Sequence, residues 1–215
     1  MNDVIFETVV STVAPDGTPH VAPMGVRYGR SEAGNDVILM PFKPSTTLAN
    51  IVASGHAVLN IVTDTRVFAG SVTGRRAWPL QPAEHIKGVR LACALNHVEL
   101  KLAELQDDPQ RPVLRMARVF EVGHALYSGF NRAQAAVVEA AVLVSRLHLL
   151  PAAKVEAEMN YLQIAIDKTA GPEEREAWGW LTDAVARHRA ATLASLPSTL
   201  ASLQESTQLS MDARS

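Results

Sequence analysis

Apolar and polar positions alternate along this chain with two different periods, and the change falls near residue 131. Before it, short apolar runs are cut by Gly, Pro, Asp and Asn, the pattern of half-buried strands separated by turns. IFETVVSTV (5–13) and VAPMGVRYG (21–29) flank APDGTPH, and the Asp16-Gly17 pair between them predicts a tight hairpin. DVILMPF (36–42) and AVLNIVT (57–63) read as buried strands, and the alternation around Arg66–Gly70 suggests a short fifth one. After a polar stretch, ALNHVELKL (94–102) alternates again with Asn96, Val98 and Leu100 on one face. LRMARVFEVGHALYSG (114–129) supplies the last strand of the region. A single short helix, LANIVASG (48–55), is expected between the third and fourth strands, closed by Gly55. Many short strands with one helix suggest a small closed barrel, which leaves no sheet edge exposed.

From Asn131 the apolar positions recur at helical spacing. NRAQAAVVEAAVLVSRLHLL has no internal Gly or Pro, with Asn131 placed to cap it and Pro151 to end it. AAKVEAEMNYLQIAIDKTAG is a second helix closed by Gly171. A third begins at Pro172 with glutamates in its first turns, where the helix dipole favours them. The predicted fold class is α+β: a barrel domain over 4–128, a C-terminal three-helix domain over 129–196, and a polar, frayed tail over 197–215.

Composition narrows the function classes. A formal net charge of −2 with scattered Lys and Arg argues against a nucleic-acid partner, which needs a basic face. No apolar run reaches the length of a membrane span, and MNDVIFETVV lacks the layout of a signal peptide. Cys93 is the only cysteine, so an intrachain disulfide is impossible and a reducing cytoplasm is the expected location. The seven histidines show no i, i+4 pairing, so any zinc site has to be assembled from distant ones. Glycine-rich nucleotide loops and the nucleophile elbow of hydrolases are absent.

Three places invite a chemical reading. In PFKPSTTLANI, Ser45, Thr46 and Thr47 stand at a helix start beside Lys43, where unpaired N–H groups and the helix dipole suit a phosphate; the same residues also make an ordinary cap. In the second strand, Pro23, Met24 and Gly25 interrupt the alternation, which suggests a bulge where a flat ring meets backbone. Met24 is adaptable enough to pack beside such a ring, and Arg27 is placed to meet a phosphate. Arg132 sits in the first turn of a helix, against its electrostatic preference, so either an anionic ligand or the nearby Glu139, expected to be partly buried, should answer it. Asn60, alone among apolar neighbours, must find a partner inside the fold. Trp178 and Trp180 read as core or interface anchors.

Taken in order, ETVVST…DGTPHVAPMGVRY, LMPFKPSTTLANI and SGFNRAQAAVVEAAVLVSRL resemble an uncharacterised family that joins a flavin-reductase-like split barrel, similar to FMN-binding proteins, to a C-terminal helical domain. The likeness runs from about Glu7 to Arg189. It implies FMN as cofactor and a homodimer with flavin at the dimer groove. The phosphate is then expected on Ser45, Thr46 and Thr47 with help from Lys43, Arg27 or Arg132, and the ring on the Pro23–Met24–Gly25–Val26 backbone near Asn60. The implied function is an FMN-dependent oxidoreductase acting on a small molecule. The alternative is a non-enzymatic flavin-binding or accessory protein of tetrahydromethanopterin-linked one-carbon metabolism. A third reading gives the barrel to another anion such as a deazaflavin or haem. Flavin chemistry requires no obvious protein acid or base, because the cofactor carries the redox step.

Overall fold

A computed structural model describes residues 4–31 and 34–194. Its elements are β1 (Phe6–Val13), β2 (Pro19–Ser31), β3 (Gly34–Leu39), α1 (Thr46–Ser54), β4 (His56–Ile61), α2 (Arg66–Val72), β5 (Leu80–Pro82) and β6 (Val89–Leu91). These are followed by β7 (Asn96–Gln106), β8 (Val113–Gly123), α3 (Arg132–Ser145), α4 (Ala152–Thr169) and α5 (Pro172–Ala194). The tail expected over 197–215 lies outside the described residues.

Six antiparallel strands close into a barrel in the order β1-β2-β3-β8-β7-β4, and β5-β6 form a separate hairpin. The first turn follows from its residues. Gly17 takes a φ of 88°, its N–H reaches Ala14 O, and the Asp16 carboxylate accepts from the Thr18 N–H at 2.9 Å. The barrel interior is filled by Val10, Val26, Leu39, Leu59, Leu100, Leu114 and Met116, and α1 plugs it with Ile51. Asn50 of α1 donates to Thr12 Oγ1 at 3.0 Å, tying the plug to β1.

A second core lies outside the barrel. Val9 and Val21 on the outer faces of β1 and β2 pack with Val67, Phe68 and Ala69 of α2 and with the buried side of α3, α4 and α5. The helices are joined by buried polar contacts. Glu174 caps α5 by accepting from the Gly171 N–H and also accepts from Gln134 of α3, and Trp178 Nε1 donates to Gln163 of α4. Trp178 is therefore a core anchor, whereas Trp180 is half-buried beneath the Arg75 guanidinium, 3.9 Å from its ring.

Three expectations need correction. Arg66–Gly70 is the helix α2, not a strand: Val67, Phe68, Ala69 and Gly70 are all buried, so the residues alternate in sequence without alternating in exposure. An Asp64 carboxylate oxygen accepts from the Arg66 backbone N–H at 3.1 Å and so starts the turn. No bulge interrupts β2, which pairs in continuous register with β1 from Val13↔Pro19 to Phe6↔Val26. The irregularities fall instead between β7 and β8, at Glu99/Leu100 and Leu102/Glu104. Helix α3 ends at Ser145, well before Pro151, and the intervening residues form turns.

Candidate functional site

The N-terminus of α1 is built as a capped helix. Ser45 is extended and its hydroxyl accepts from the Leu48 N–H at 3.2 Å, while Gly55 closes the other end at φ 74°. One of the three hydroxyls is thus spent on the helix itself. Thr47 is buried and Thr46 is exposed, and neither hydroxyl bonds to another described residue. Lys43 and Ser45 line a shallow groove with Leu48 and Ala49. The Lys43 ammonium pairs with Asp107 at the β7–β8 turn; that hydrogen bond and its charge hold the Asp107 carboxyl below its usual range. A phosphate here competes with Asp107 for the lysine.

Along β2 the pleat sorts the expected residues onto two faces. Val26 is fully buried in the barrel interior, and Met24 packs against the same cluster. Pro23, Gly25 and Arg27 therefore share the outer face with Val21. A Cβ at Gly25 would stand 2.8 Å from the Ile5 side chain, so this glycine allows the N-terminal segment to lie close over the strand. From Pro19 to Gly25, β2 pairs with β1 alone, because β3 joins only from Val26 onward. The other edge of that stretch carries no strand. Arg27 is half-buried, and its Nε is buried without an acceptor among the described residues. A buried guanidinium N–H with no acceptor is costly, and an anionic group answers it.

Asn60 is wholly buried and structural. Its amide donates to Val9 O, Ser11 Oγ and Val58 O, and its oxygen accepts from the Leu91 N–H at 2.8 Å. It locks β4 to β1 and β6. Arg132 is exposed and lines a groove between α3 and α4 with Glu139 and Tyr161. The expectation of a half-buried Glu139 answering Arg132 does not hold: Glu139 is exposed, and no ion pair joins the two.

Sequence reasoning missed one cluster altogether. Beneath the β5–β6 hairpin, Glu99 and His97 of β7 are both 0% exposed. The Glu99 carboxylate accepts from the backbone N–H groups of Glu84 at 2.6 Å and His85 at 2.8 Å. Burial by itself raises the Glu99 carboxyl, but those two donors and His97 outweigh it and leave the group below its ordinary value. His97 Nε2 lies 3.3 Å from Glu99 Oε1, and its Nδ1 lies 2.8 Å from Nε2 of His124, whose ring plane is within 4° of its own. His124 is exposed at the end of β8. Among the described residues no group of three or more His, Cys, Asp or Glu is placed to hold a metal ion. No helix among them is long and apolar enough to cross a membrane.

Residues 6–125 match the N-terminal domain of the protein of unknown function DUF447, and residues 131–183 match the second DUF447 segment. The chain belongs to the DUF447 family. Among solved structures, this DUF447 chain is similar to an FMN-bound DUF447 protein from Methanosarcina mazei, at 22% identity and a TM-score of 0.71, over 84% of this chain and 94% of that one. It is also similar to component B of a nitrilotriacetate monooxygenase from Mycobacterium thermoresistibile, at 17% identity and a TM-score of 0.50, covering 58% and 72% of the two chains. These likenesses establish the fold: a closed six-stranded barrel followed by helices. No curated protein matches the chain.

Proposed function

We propose that this DUF447 chain binds FMN and works as a flavin-dependent oxidoreductase on a small molecule, with the flavin at the groove of a homodimer. The observation that carries the reading is the FMN-bound DUF447 relative, whose fold coincides with 84% of this chain. The residues present suit the cofactor. The unpaired edge of β2 beside Pro23 and Gly25 offers backbone groups to a flat ring, with Met24 and Val26 forming the interior wall behind them. Thr46, Thr47 and the first N–H groups of α1 offer hydrogen bonds to a phosphate, and the unanswered Nε of Arg27 supplies a cation. Lys43 joins if it leaves Asp107. Ser45 acts through the cap it forms, Asn60 through the strands it fixes, and Arg132 is the outlying cation of the set. Bound FMN supplies the electron or hydride transfer, and the protein binds and orients it.

The test is spectroscopic. Purified protein incubated with FMN and then passed through gel filtration retains flavin absorbance at about one flavin per chain if the reading holds. A bare protein spectrum overturns it. Reduction of the retained flavin by NADH or NADPH above the free-flavin rate favours the enzyme. Tight binding with no such reduction favours the accessory role in one-carbon metabolism, and displacement of FMN by a deazaflavin or haem favours a different ligand.

A further inference from the structure

A carboxylate and an imidazole buried side by side are costly, and a purely structural anchor for the β5–β6 hairpin needs only the carboxylate. Glu99 already holds that hairpin through the N–H groups of Glu84 and His85. His97 bonds to the carboxylate but makes no bond to the hairpin itself. It extends the hydrogen-bonded chain outward to His124, so three titratable groups run from a 0% exposed carboxylate to an exposed ring. Phe120 packs near His97 and against His85, closing the inner part of the chain with apolar surface.

The tautomers follow from the acceptors. Ionised Glu99 can only accept, so His97 carries its proton on Nε2 and presents a lone pair at Nδ1. That lone pair takes the Nε2–H of His124, which leaves Nδ1 of His124 unprotonated. We propose that Nδ1 of His124 is the working end of a Glu99–His97–His124 proton relay. It forms a general acid–base site for a small carbonyl or heteroaromatic compound that carries a removable proton.

In the forward step the substrate's proton moves to Nδ1 of His124, and the bonding pair stays on the substrate as an anion. The Nε2 proton of His124 then passes to Nδ1 of His97, which places the positive charge next to the Glu99 carboxylate. No oxidant or further reactant is consumed. The charged and titratable groups around His124 are Arg90 of β6, Glu84 of the β5–β6 turn and His97 of β7. Burial, then Arg90 and His97, keep His124 below its ordinary value, with Glu84 opposing. It is therefore a free base at neutral pH, and the Arg90 charge that disfavours imidazolium also favours the anion formed from the substrate.

The site does not depend on bound flavin, so it is tested on the full chain without added FMN. The probe is 5-nitrobenzisoxazole, whose C–H proton is taken by a base as its N–O bond breaks to give a coloured phenolate. The wild-type chain is expected to convert it faster than an equal concentration of free imidazole, with a rate that rises with pH through the titration of His124. His124→Asn, a change at an exposed residue, is expected to lose that rate. Glu99→Gln and His97→Asn are expected to lower it and to shift the pH profile. Nitrogen chemical shifts of the wild type report the His97 tautomer directly, so the relay stays testable if an inner variant fails to fold. A wild-type rate no greater than imidazole's, a His124→Asn chain as fast as wild type, or a His97 proton on Nδ1 each overturns the relay.

Discussion

Asn60 holds three strands with one side chain, and its replacement measures what that is worth. Asn60→Leu keeps the heavy-atom count and branching but removes every polar contact, leaving the Leu91 N–H buried without its acceptor. Losing such bonds in the interior costs about 3 kcal/mol, which urea unfolding reads as a lower midpoint at unchanged slope. Gly70 sets two effects against each other. Alanine is worth about 1 kcal/mol over glycine inside a helix, but a Cβ at Gly70 would stand 2.6 Å from two atoms of the Trp78 ring. Overpacking of that kind costs about 1–3 kcal/mol, so Gly70→Ala is expected to lower the melting temperature. Sequence alone foretold that Asn60 needs an internal partner, because one amide among apolar neighbours has no other fate. It did not foretell His97 and Glu99. With Val98 and Leu100 facing the core, the opposite face of a lone strand reads as solvent-exposed. The β5–β6 hairpin, anchored on Glu99 from fifteen residues upstream, covers it together with Phe120 and His124.

At the level of elements, α1 and α2 show what local signals carry. The Ser45 start and Gly55 stop of α1 are legible because a cap is a local contact between neighbours in sequence. Helix α2 is illegible for the same reason: seven residues are too short to show a period, and its burial on all sides comes from β2, α3 and α5. The unbroken β2 has a related cause, since Pro23 and Gly25 disrupt a strand only where both edges must be paired, and here one edge is free. The α1 terminus separates capping from ligand binding. Ser45→Ala is expected to cost about 1 kcal/mol of stability through the lost cap. Thr46→Ala, at an exposed hydroxyl outside the cap, is expected to leave stability unchanged and weaken FMN binding by about 1–3 kcal/mol. Thermal melts read the first and fluorescence titration with FMN the second; unchanged FMN affinity in Thr46→Ala moves the phosphate elsewhere.

For the molecule as a whole, acid and self-association are the two levers. His124 and Glu99 both bind protons less readily in the folded chain than their ordinary values of 6.5 and 4.5. The unfolded chain therefore takes up more protons as pH falls, and stability drops with it. His124 contributes fully above pH 6.5 and loses its contribution as pH falls toward its lowered folded value; Glu99 does the same below 4.5. Urea midpoints should fall in two stages, and His124→Asn should shrink the first, leaving the part that His20, also held low by burial and then by Arg76, contributes. The proposed homodimer has a candidate contact in the segment between β8 and α3. Leu126 is 93% exposed and Phe130 101%, with Tyr127 packed edge-on against Phe130. Three large apolar side chains offered to water within five residues suit a surface that another copy covers. The same segment leads directly into the cap of α3 at Asn131, so it is held by a rigid element at its far end. The proposed homodimer then predicts that Phe130→Ser with Leu126→Ser yields a folded monomer by sedimentation, with unchanged far-ultraviolet dichroism. If the flavin lies at the dimer groove, that monomer also loses FMN retention. A variant that remains dimeric places the contact on another face, whereas a monomer that keeps its flavin puts the whole cofactor site within one chain.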